Sequence, residues 1–250
     1  NFLNFGRTGT DVNLLGGEVF ADHLMAFTED GVFPVYATPN ALLPLAFQQS
    51  AFTEPGGGPP NIHAVVAAND HLYWVSKNFD VKVMDLAGRV TSAKYAESVR
   101  PFLRGLSDSR RIYTVGGWDP IYRMVLWAVS DGSDTQNKTV LALHVDTGWF
   151  FLHTISRNAF CNRTVSVEPR MLGGGYSGFL YNEYDTRTTG NLDDSAATIS
   201  ATAAFPRLHA GQPDATKKIP YLFVEVDPIG TETITVTGNL DDNTGYTDVN

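Results

Sequence analysis

Short runs of alternating apolar and polar residues, separated by tight polar turns, recur along most of the chain. In one such pair, the run 24–28 and the run 32–36 are joined by the turn Glu29-Asp30-Gly31. A side-chain period of two is typical of half-buried strands, and short turns of this kind join antiparallel neighbours. The pattern therefore predicts an all-β chain. Further strands are predicted at 62–67, 72–75, 81–84, 111–115, 122–129, 140–145, 149–153, 178–184, 197–205, 221–226 and 232–237.

One segment has the pattern of a short helix, over about 92–100. Ser92 is a suitable N-cap, Tyr95 and Val99 share one face at a spacing of four, and Pro101 would end the helix.

The predicted hairpins follow one another at intervals of about 40 residues, which is the length of a four-stranded propeller blade. The sequence therefore favours a propeller-like series of antiparallel sheets with one short helix. Paired β-sandwiches would give the same local pattern and remain the alternative. We expect 1–250 to form a single β-rich domain, which could belong to a longer chain because it begins at Asn1 rather than Met. The segment 196–250 is a candidate for a separate β-sandwich-like C-terminal part.

Charge and composition exclude several functional classes. The net charge is −9, and the densest basic runs are the pairs Arg110-Arg111 and Lys217-Lys218. Binding to nucleic acid through neutralisation of its phosphates is therefore disfavoured. The single cysteine, Cys161, excludes an intrachain disulfide framework. No apolar run approaches the ~20 residues of a membrane-spanning helix.

The residues that most often carry chemistry are not arranged in a known motif. None of the six histidines has the spacing of a zinc site, although His144 and His153 flank one predicted turn and could approach each other. Ser177 lies in Gly-Tyr-Ser-Gly without the strand-to-helix elbow of a nucleophile. We therefore predict no enzymatic activity, no catalytic, cofactor-binding or metal-binding residues, and no cofactor. The glycine runs 56–58 and 173–175 are interpreted as flexible or close-packed corners.

Two further features have a structural and a functional interpretation. The sequence Thr-Gly-Asn-Leu-Asp-Asp occurs at 189–194 and again at 237–242, either as a reused turn, which we favour, or as a pair of calcium loops. The turns at Asp131-Gly132 and Asp146-Thr147-Gly148 faintly resemble the aspartate-rich turn of sialidase propellers. Exposed aromatic residues could stack on sugars, but at strand spacing we expect Trp74, Trp118, Trp127 and Trp149 to belong mainly to the core.

Three stretches taken in order resemble a family of proteins from tailed bacteriophages. The first, 23–99, contains "HLMAFTEDGVFPVYATPN" and "LYWV" followed by the short helix. The second is "DPIYRMVLWAVSDGSDTQNKTVLALHVDTGWFFLH" at 119–153, and the third, 171–226, begins "MLGGGYSGFLYNEYDTRTTGNLDDS". These segments are similar to the tail and head-closure proteins, which include packaged-DNA stabilisation proteins and the tail nozzles of short-tailed phages.

The resemblance implies a structural virion protein with a propeller-like fold. It implies a ring of copies, commonly six, that forms part of the tail or the head-to-tail channel as a nozzle, hub or DNA-retaining plug. The implied partners are other copies of the chain, neighbouring tail or connector proteins, and genome DNA that passes without specific binding, with no membrane contact. The implied location is the virion, at the tail or head–tail junction. The alternative is a glycan-binding or glycan-cleaving propeller module that recognises a host.

Overall fold

The computed structural model describes residues 13–39, 45–47, 52–132, 134–165, 168–183, 201–202, 235–240 and 244–249. The chain divides into two compact units, 1–206 and 207–250. In the second unit, the described residues form one antiparallel hairpin, β18 (Thr235–Leu240) and β19 (Thr244–Val249). The predictions for 197–200, 203–205 and 221–226, and the first of the two acidic repeats, lie outside the described residues. The domain boundaries drawn from the sequence stay predictions.

The described part of the first unit contains four antiparallel sheets, which confirms the all-β prediction. Sheets 2 and 3 are meanders whose first four strands pair in chain order. Sheet 1 contains β1 (Leu14–Phe20), β2 (His23–Thr28), β3 (Gly31–Ala37) and β4 (Leu45–Phe47), with β5 (Phe52–Thr53) also paired to β3. Sheet 2 contains β6 (Val65–Ala68), β7 (His71–Val75), β8 (Val81–Asp85) and β9 (Val90–Ser92). Sheet 3 contains β10 (Val115–Asp119), β11 (Met124–Val129), β12 (Thr139–His144), β13 (Phe150–His153) and β17 (Ala201–Thr202); sheet 4 contains β14 (Ala159–Val165), β15 (Glu168–Gly174) and β16 (Leu180–Asn182).

The predicted helix exists, but its predicted ends are wrong. Helix α1 spans Ala96–Gly105, and Pro101 lies inside it rather than ending it. Ser92 is the last residue of β9, where its hydroxyl donates to Asp80 at 2.6 Å, so it is not available as a cap. Tyr95 precedes the helix and is exposed, so the buried stripe is Ala96, Val99 and Leu103.

Two predicted strands begin with a short 3₁₀ helix instead. The strand predicted at 111–115 begins only at Val115, because Asp108–Tyr113 form a 3₁₀ helix. The strand predicted at 62–67 begins at Val65, after the 3₁₀ turn Ile62–Ala64. Asn61 caps this turn, because its side-chain oxygen accepts a hydrogen bond from the backbone N–H of His63. In both cases the apolar residues that suggested a strand belong to the connection between two sheets.

The sheets pack face to face in chain order, and the core lies between them. Sheet 1 and sheet 2 share a buried cluster around Phe27 and Trp74, whose rings meet edge to face. Sheet 2, sheet 3 and α1 share the largest cluster, which includes Trp127 and Leu103. Leu126, from the opposite face of sheet 3, packs in the cluster that reaches sheet 4. Both faces of sheet 3 are therefore covered, which explains why β11 is apolar throughout rather than alternating.

The first strands of sheets 2, 3 and 4 lie against one another through two consecutive glycines of β10. A Cβ atom on Gly116 would lie 2.3 Å from Cγ2 of Val66 in β6. A Cβ atom on Gly117, which faces the other way, would lie 2.5 Å from Cβ of Phe160 in β14. Only glycine allows this separation, so the sequence Gly116-Gly117 sets how closely the three strands approach.

Candidate functional site

The register of their hairpin separates His144 and His153, the two histidines that flank one predicted turn. His153 of β13 pairs with Val140, at the far end of β12 from His144. Four residues of strand, about 13 Å, therefore separate the two backbone positions. His144 instead lies at the turn, where its Nδ1 is 3.2 Å from the hydroxyl of Thr147. The two histidines therefore do not approach each other across the turn.

The remaining motifs with a possible chemical role occupy turns. Ser177 lies in the exposed turn between β15 and β16, with its hydroxyl 3.3 Å from the Tyr181 hydroxyl. Asp146 receives two hydrogen bonds from the Arg123 guanidinium, the longer at 2.7 Å, and these lower the pKa of its carboxyl. Among the described residues, no group of three or more His, Cys, Asp and Glu is placed to hold a metal ion. The acidic residues of the second repeat, Asp241 and Asp242, lie outside the described residues.

The glycine-rich corner 56–58 is close-packed, as predicted. A Cβ atom on Gly58 would lie 1.9 Å from the backbone oxygen of Thr28, and the carbonyl of Gly57 accepts a hydrogen bond from the Trp74 indole at 2.8 Å. The corner at 173–175 is also tight, because a Cβ atom on Gly173 would overlap the carboxylate of Glu183.

The four tryptophans differ in their environment. Trp74 and Trp127 are fully buried, as predicted, and the Trp127 indole donates to the Ala64 carbonyl at 2.9 Å. Trp118 is partly buried against the same core cluster. Trp149 is 44% exposed, so the prediction that it belongs to the core is wrong.

Two charged groups are buried together beside the start of α1. Asp80 and Lys82 are each less than 10% exposed, and Lys82 Nζ lies 3.0 Å from carboxylate oxygens of both Asp80 and Glu54. Burial by itself would raise the pKa of Asp80, but hydrogen bonds from Ser92 and Lys82 and the charge of Lys82 lower it overall. Burial would likewise lower the pKa of Lys82, but its two carboxylate partners raise it overall. This cluster joins β8 and β9 to the segment that leaves sheet 1.

A second buried ion pair joins Arg157 to Glu183, and the guanidinium also lies 4.4 Å from the centre of the Tyr181 ring. The pair lies beside Gly173, where a side chain would displace it. It fixes the segment that enters sheet 4 to the residue that follows β16.

A small cavity lies between α1 and the end of sheet 2. It has about 10 Å³ of space for a water-sized sphere, which is room for about one water molecule and not for a substrate. Its lining is largely apolar and consists of Pro60, Val75, Ser76, Phe79, Leu103, Leu106, Arg111 and Thr114.

Among the described residues, a group of exposed apolar side chains lies on two segments, the 3₁₀ helix before sheet 3 and the segment from the β15–β16 turn into β16. We call this surface the tyrosine patch; each member is more than a third exposed, and its members are Ile112, Tyr113, Tyr176, Phe179 and Leu180. Exposed apolar groups that lie together in this way mark interaction surfaces more often than single exposed residues do.

Asn137 holds the two halves of the tyrosine patch together from below. Its side-chain amide donates to the Tyr113 carbonyl at 2.8 Å, and its backbone N–H donates to the Tyr176 hydroxyl at 3.0 Å. Its side-chain oxygen accepts from the buried hydroxyl of Ser130. Because Asn137 is 1% exposed, these bonds are shielded from water and the patch has a fixed shape.

A cation lies directly on this surface. The Arg110 guanidinium is 4.2 Å from the centre of the Tyr113 ring, and Arg110 forms no ion pair among the described residues. The tyrosine patch therefore combines tyrosine, other apolar side chains and arginine, the residue types enriched where proteins bind one another.

A second exposed aromatic group lies at the start of α1. The Cα of Gly148 packs on the side chain of Lys94, since a Cβ there would lie 2.8 Å from Lys94 Cβ. Trp149, which follows Gly148, is 44% exposed, and Tyr95, which follows Lys94, is 40% exposed. We call Lys94, Tyr95 and Trp149 the aromatic–lysine site.

Comparison with known proteins gives no assignment. No protein-family model matches the chain, and no curated protein matches it. Within the described part of the chain, no helix is long and apolar enough to cross a membrane.

Proposed function

We propose that this chain is a structural protein of a tailed-phage virion, and that copies of it assemble into a ring, commonly of six, in the tail or head-to-tail channel. Within each copy, we propose that the sheets are arranged as in a propeller. The proposal includes no catalytic residue and no cofactor. Its partners are other copies, neighbouring tail or connector proteins, and the genome DNA.

The packing of the sheets supports the propeller arrangement. In a propeller, meandering sheets stack face to face around an axis, with the first strand of each sheet innermost. Here sheets 2 and 3 are meanders, the sheets stack in chain order, and β6, β10 and β14 are neighbours. The contacts of Gly116 and Gly117 give β10 a close neighbour on each side, as an innermost strand would have.

The same glycines show that the first strands leave no room for the genome between them. They leave less than the width of a methyl group between β10 and the first strands on either side. The major groove of duplex DNA alone is about 12 Å wide, so the duplex would not fit between these strands. In the proposed ring, the channel for the genome lies between copies. The net charge of −9 is compatible with a wall that does not hold DNA.

The tyrosine patch is the observation that carries the ring proposal. A ring needs a contact surface on one side of each copy that fits a different surface on the next copy. The patch has the composition of such a contact, and Arg110 adds a positive charge that complements an acidic neighbour. Because the chain itself carries a net charge of −9, another copy offers acidic surface.

Light scattering during size-exclusion chromatography tests this proposal on the full chain. We expect a mass of about six copies at high protein concentration. The variant Ile112→Asp places a charge in the tyrosine patch and should shift the mass to smaller species at equal concentration. Val19→Asp is the matched control, because Val19 is equally aliphatic and 70% exposed but belongs to sheet 1. It should leave the mass unchanged.

Two results would overturn the proposal. A monomer at the highest soluble concentration would remove the ring, and an unchanged ring in Ile112→Asp would remove the tyrosine patch as its contact. The thermal midpoint of each variant separates loss of assembly from loss of folding.

A glycan-binding module remains the second candidate function, and one observation favours it. Trp149 is exposed at a turn rather than packed between sheets.

A further inference from the structure

We infer that the aromatic–lysine site, formed by Lys94, Tyr95 and Trp149, binds an acidic sugar residue of a polysaccharide. This inference develops the second candidate function and does not depend on ring formation. Two chain segments form the site: the residues just before α1 and the turn between β12 and β13. Gly148 brings them together, because its missing side chain lets the turn lie on Lys94.

Tyr95 has a backbone conformation that is unusual for a tyrosine. Its φ of 62° lies in the left-handed region, which bulky side chains rarely adopt. A residue at the N-cap usually has a short polar side chain that accepts a hydrogen bond from a backbone N–H of the first turn, yet the side chain of Tyr95 makes no such bond. Strained backbone of this kind is concentrated at functional sites. Here the strain presents an aromatic ring at the surface.

Lys94 supplies a positive charge beside the Tyr95 ring. Its Nζ lies 4.8 Å from the centre of the Tyr95 ring, its side chain is exposed, and it forms no ion pair among the described residues. In a chain of net charge −9, with more acidic than basic residues, a lysine without an acidic partner is available to an anion from outside.

These side chains select a class of ligand. The C–H groups on one face of a pyranose ring carry partial positive charge and pack on the negative face of an aromatic ring. The Lys94 ammonium would attract a carboxylate and repel a cationic ligand. A sugar that carries a carboxylate meets both requirements.

A binding titration tests the inference. The probe is an oligosaccharide of hyaluronan, in which every second sugar carries a carboxylate, and an uncharged cello-oligosaccharide of similar length is the comparison. Binding is followed by calorimetry and by tryptophan fluorescence, since Trp149 is the most exposed of the four tryptophans that are described. We expect binding of the acidic oligosaccharide that is about tenfold tighter than that of the neutral one and that weakens as salt is added.

Variants assign the binding to the site. Trp149→Ala and Lys94→Gln should each weaken binding of the acidic oligosaccharide by about tenfold or more, whereas Lys94→Arg should retain most of it. Phe179→Ala is the matched control, because Phe179 is an exposed aromatic residue of the tyrosine patch. Its removal should leave sugar binding unchanged.

Several results would overturn the inference. These are no binding of the acidic oligosaccharide, equal losses in Phe179→Ala and Trp149→Ala, and equal binding of polyglutamate, which would indicate nonspecific charge attraction. Light scattering on the same samples separates this outcome from that of the ring proposal. Lys94→Gln should lose the sugar and keep the ring, and Ile112→Asp should do the reverse.

Discussion

Replacing Gly116 by alanine tests the close approach of the first strands of sheets 2 and 3. The added methyl group would lie 2.3 Å from Cγ2 of Val66, whereas two carbon atoms in contact are normally ~3.5–4.0 Å apart. The overlap of more than 1 Å forces either Val66 or the whole of β10 to move. Overpacking of this kind costs about 1–3 kcal/mol of unfolding free energy, and we expect about 2 kcal/mol for Gly116→Ala.

A second substitution makes the prediction specific to this contact. Val66→Ala alone removes two methyl groups from the core and should cost about 2 kcal/mol. In the double variant, the new methyl group at 116 occupies space that the valine has left. We therefore expect a loss of about 2 kcal/mol for the double variant, where independent sites would give about 4 kcal/mol.

Urea unfolding followed by fluorescence measures all three variants, with an unchanged dependence on urea as the condition for comparing them. Gly105→Ala is the control: it lies at the end of α1, where the nearest atom to a new Cβ is 3.9 Å away. That change should leave stability equal or raise it by up to ~1 kcal/mol. Strictly additive losses at Gly116 and Val66, or no loss at Gly116, would refute the packing described for β10.

Two further predictions concern buried charges. Burial raises the pKa of Asp119, which is 2% exposed. Its charged form therefore lowers the unfolding free energy at neutral pH. Below the ordinary carboxyl pKa the group is protonated in both the folded and the unfolded chain, so this cost disappears. Asp119→Asn should therefore raise the unfolding free energy at pH 7, and the gain should disappear below about pH 4; a gain that persists there contradicts it. Lys82→Met leaves Asp80 charged and without its closest cation, and should cost about 3 kcal/mol at pH 7 and less in acid. Lys77→Met, at a more exposed ion pair, should cost less than about 1 kcal/mol in the same urea assay, and equal losses would contradict the difference in burial.

Alternation identified most of the strands because it reports which side of a strand is buried. It placed β7, β8 and β12 to within a residue at nearly every end. It did not find β14, where the run Cys161 to Arg163 is exposed and polar in part. The predicted end of the helix is wrong because proline usually ends a helix, whereas the structure accommodates Pro101 inside α1. A local rule cannot include the packing of Leu103, which continues the buried stripe beyond the proline.

The sequence contains a structural repeat at the ends of successive second strands. The second strands of sheets 1, 2 and 3 each end at a buried hydroxyl that closes the following turn. Thr28 donates to the Gly31 carbonyl, Ser76 to the Asp80 carbonyl, and Ser130 to the Asn137 side chain. In two of these strands the serine follows a buried tryptophan closely, as "WVS" and "WAVS". The repeat of an indole and a hydroxyl marks successive sheets more directly than hairpin spacing does.

The candidate surfaces were harder to predict because they depend on contacts between distant segments. Tyr113 and Tyr176 are joined through Asn137, which lies far from both in the sequence. An apolar pair such as Ile112-Tyr113 has the pattern of a strand, although its backbone forms a 3₁₀ helix. Trp149 was assigned to the core by its neighbours, Phe150 and Phe151. It is exposed because it lies in the turn before β13, where the alternation of side chains along the strand does not apply.

The way the sheets are covered restricts where any function of this unit can lie. Sheet 2 packs on sheet 1 through one face and on sheet 3 through the other, and sheet 3 is covered in the same way by sheets 2 and 4. Most strand side chains of these two sheets are therefore used for packing, and most of the side chains left for binding belong to turns, connections and the outermost strands. Both the tyrosine patch and the aromatic–lysine site obey this restriction. Because they use separate connections, one surface can hold neighbouring copies while the other remains open to a ligand.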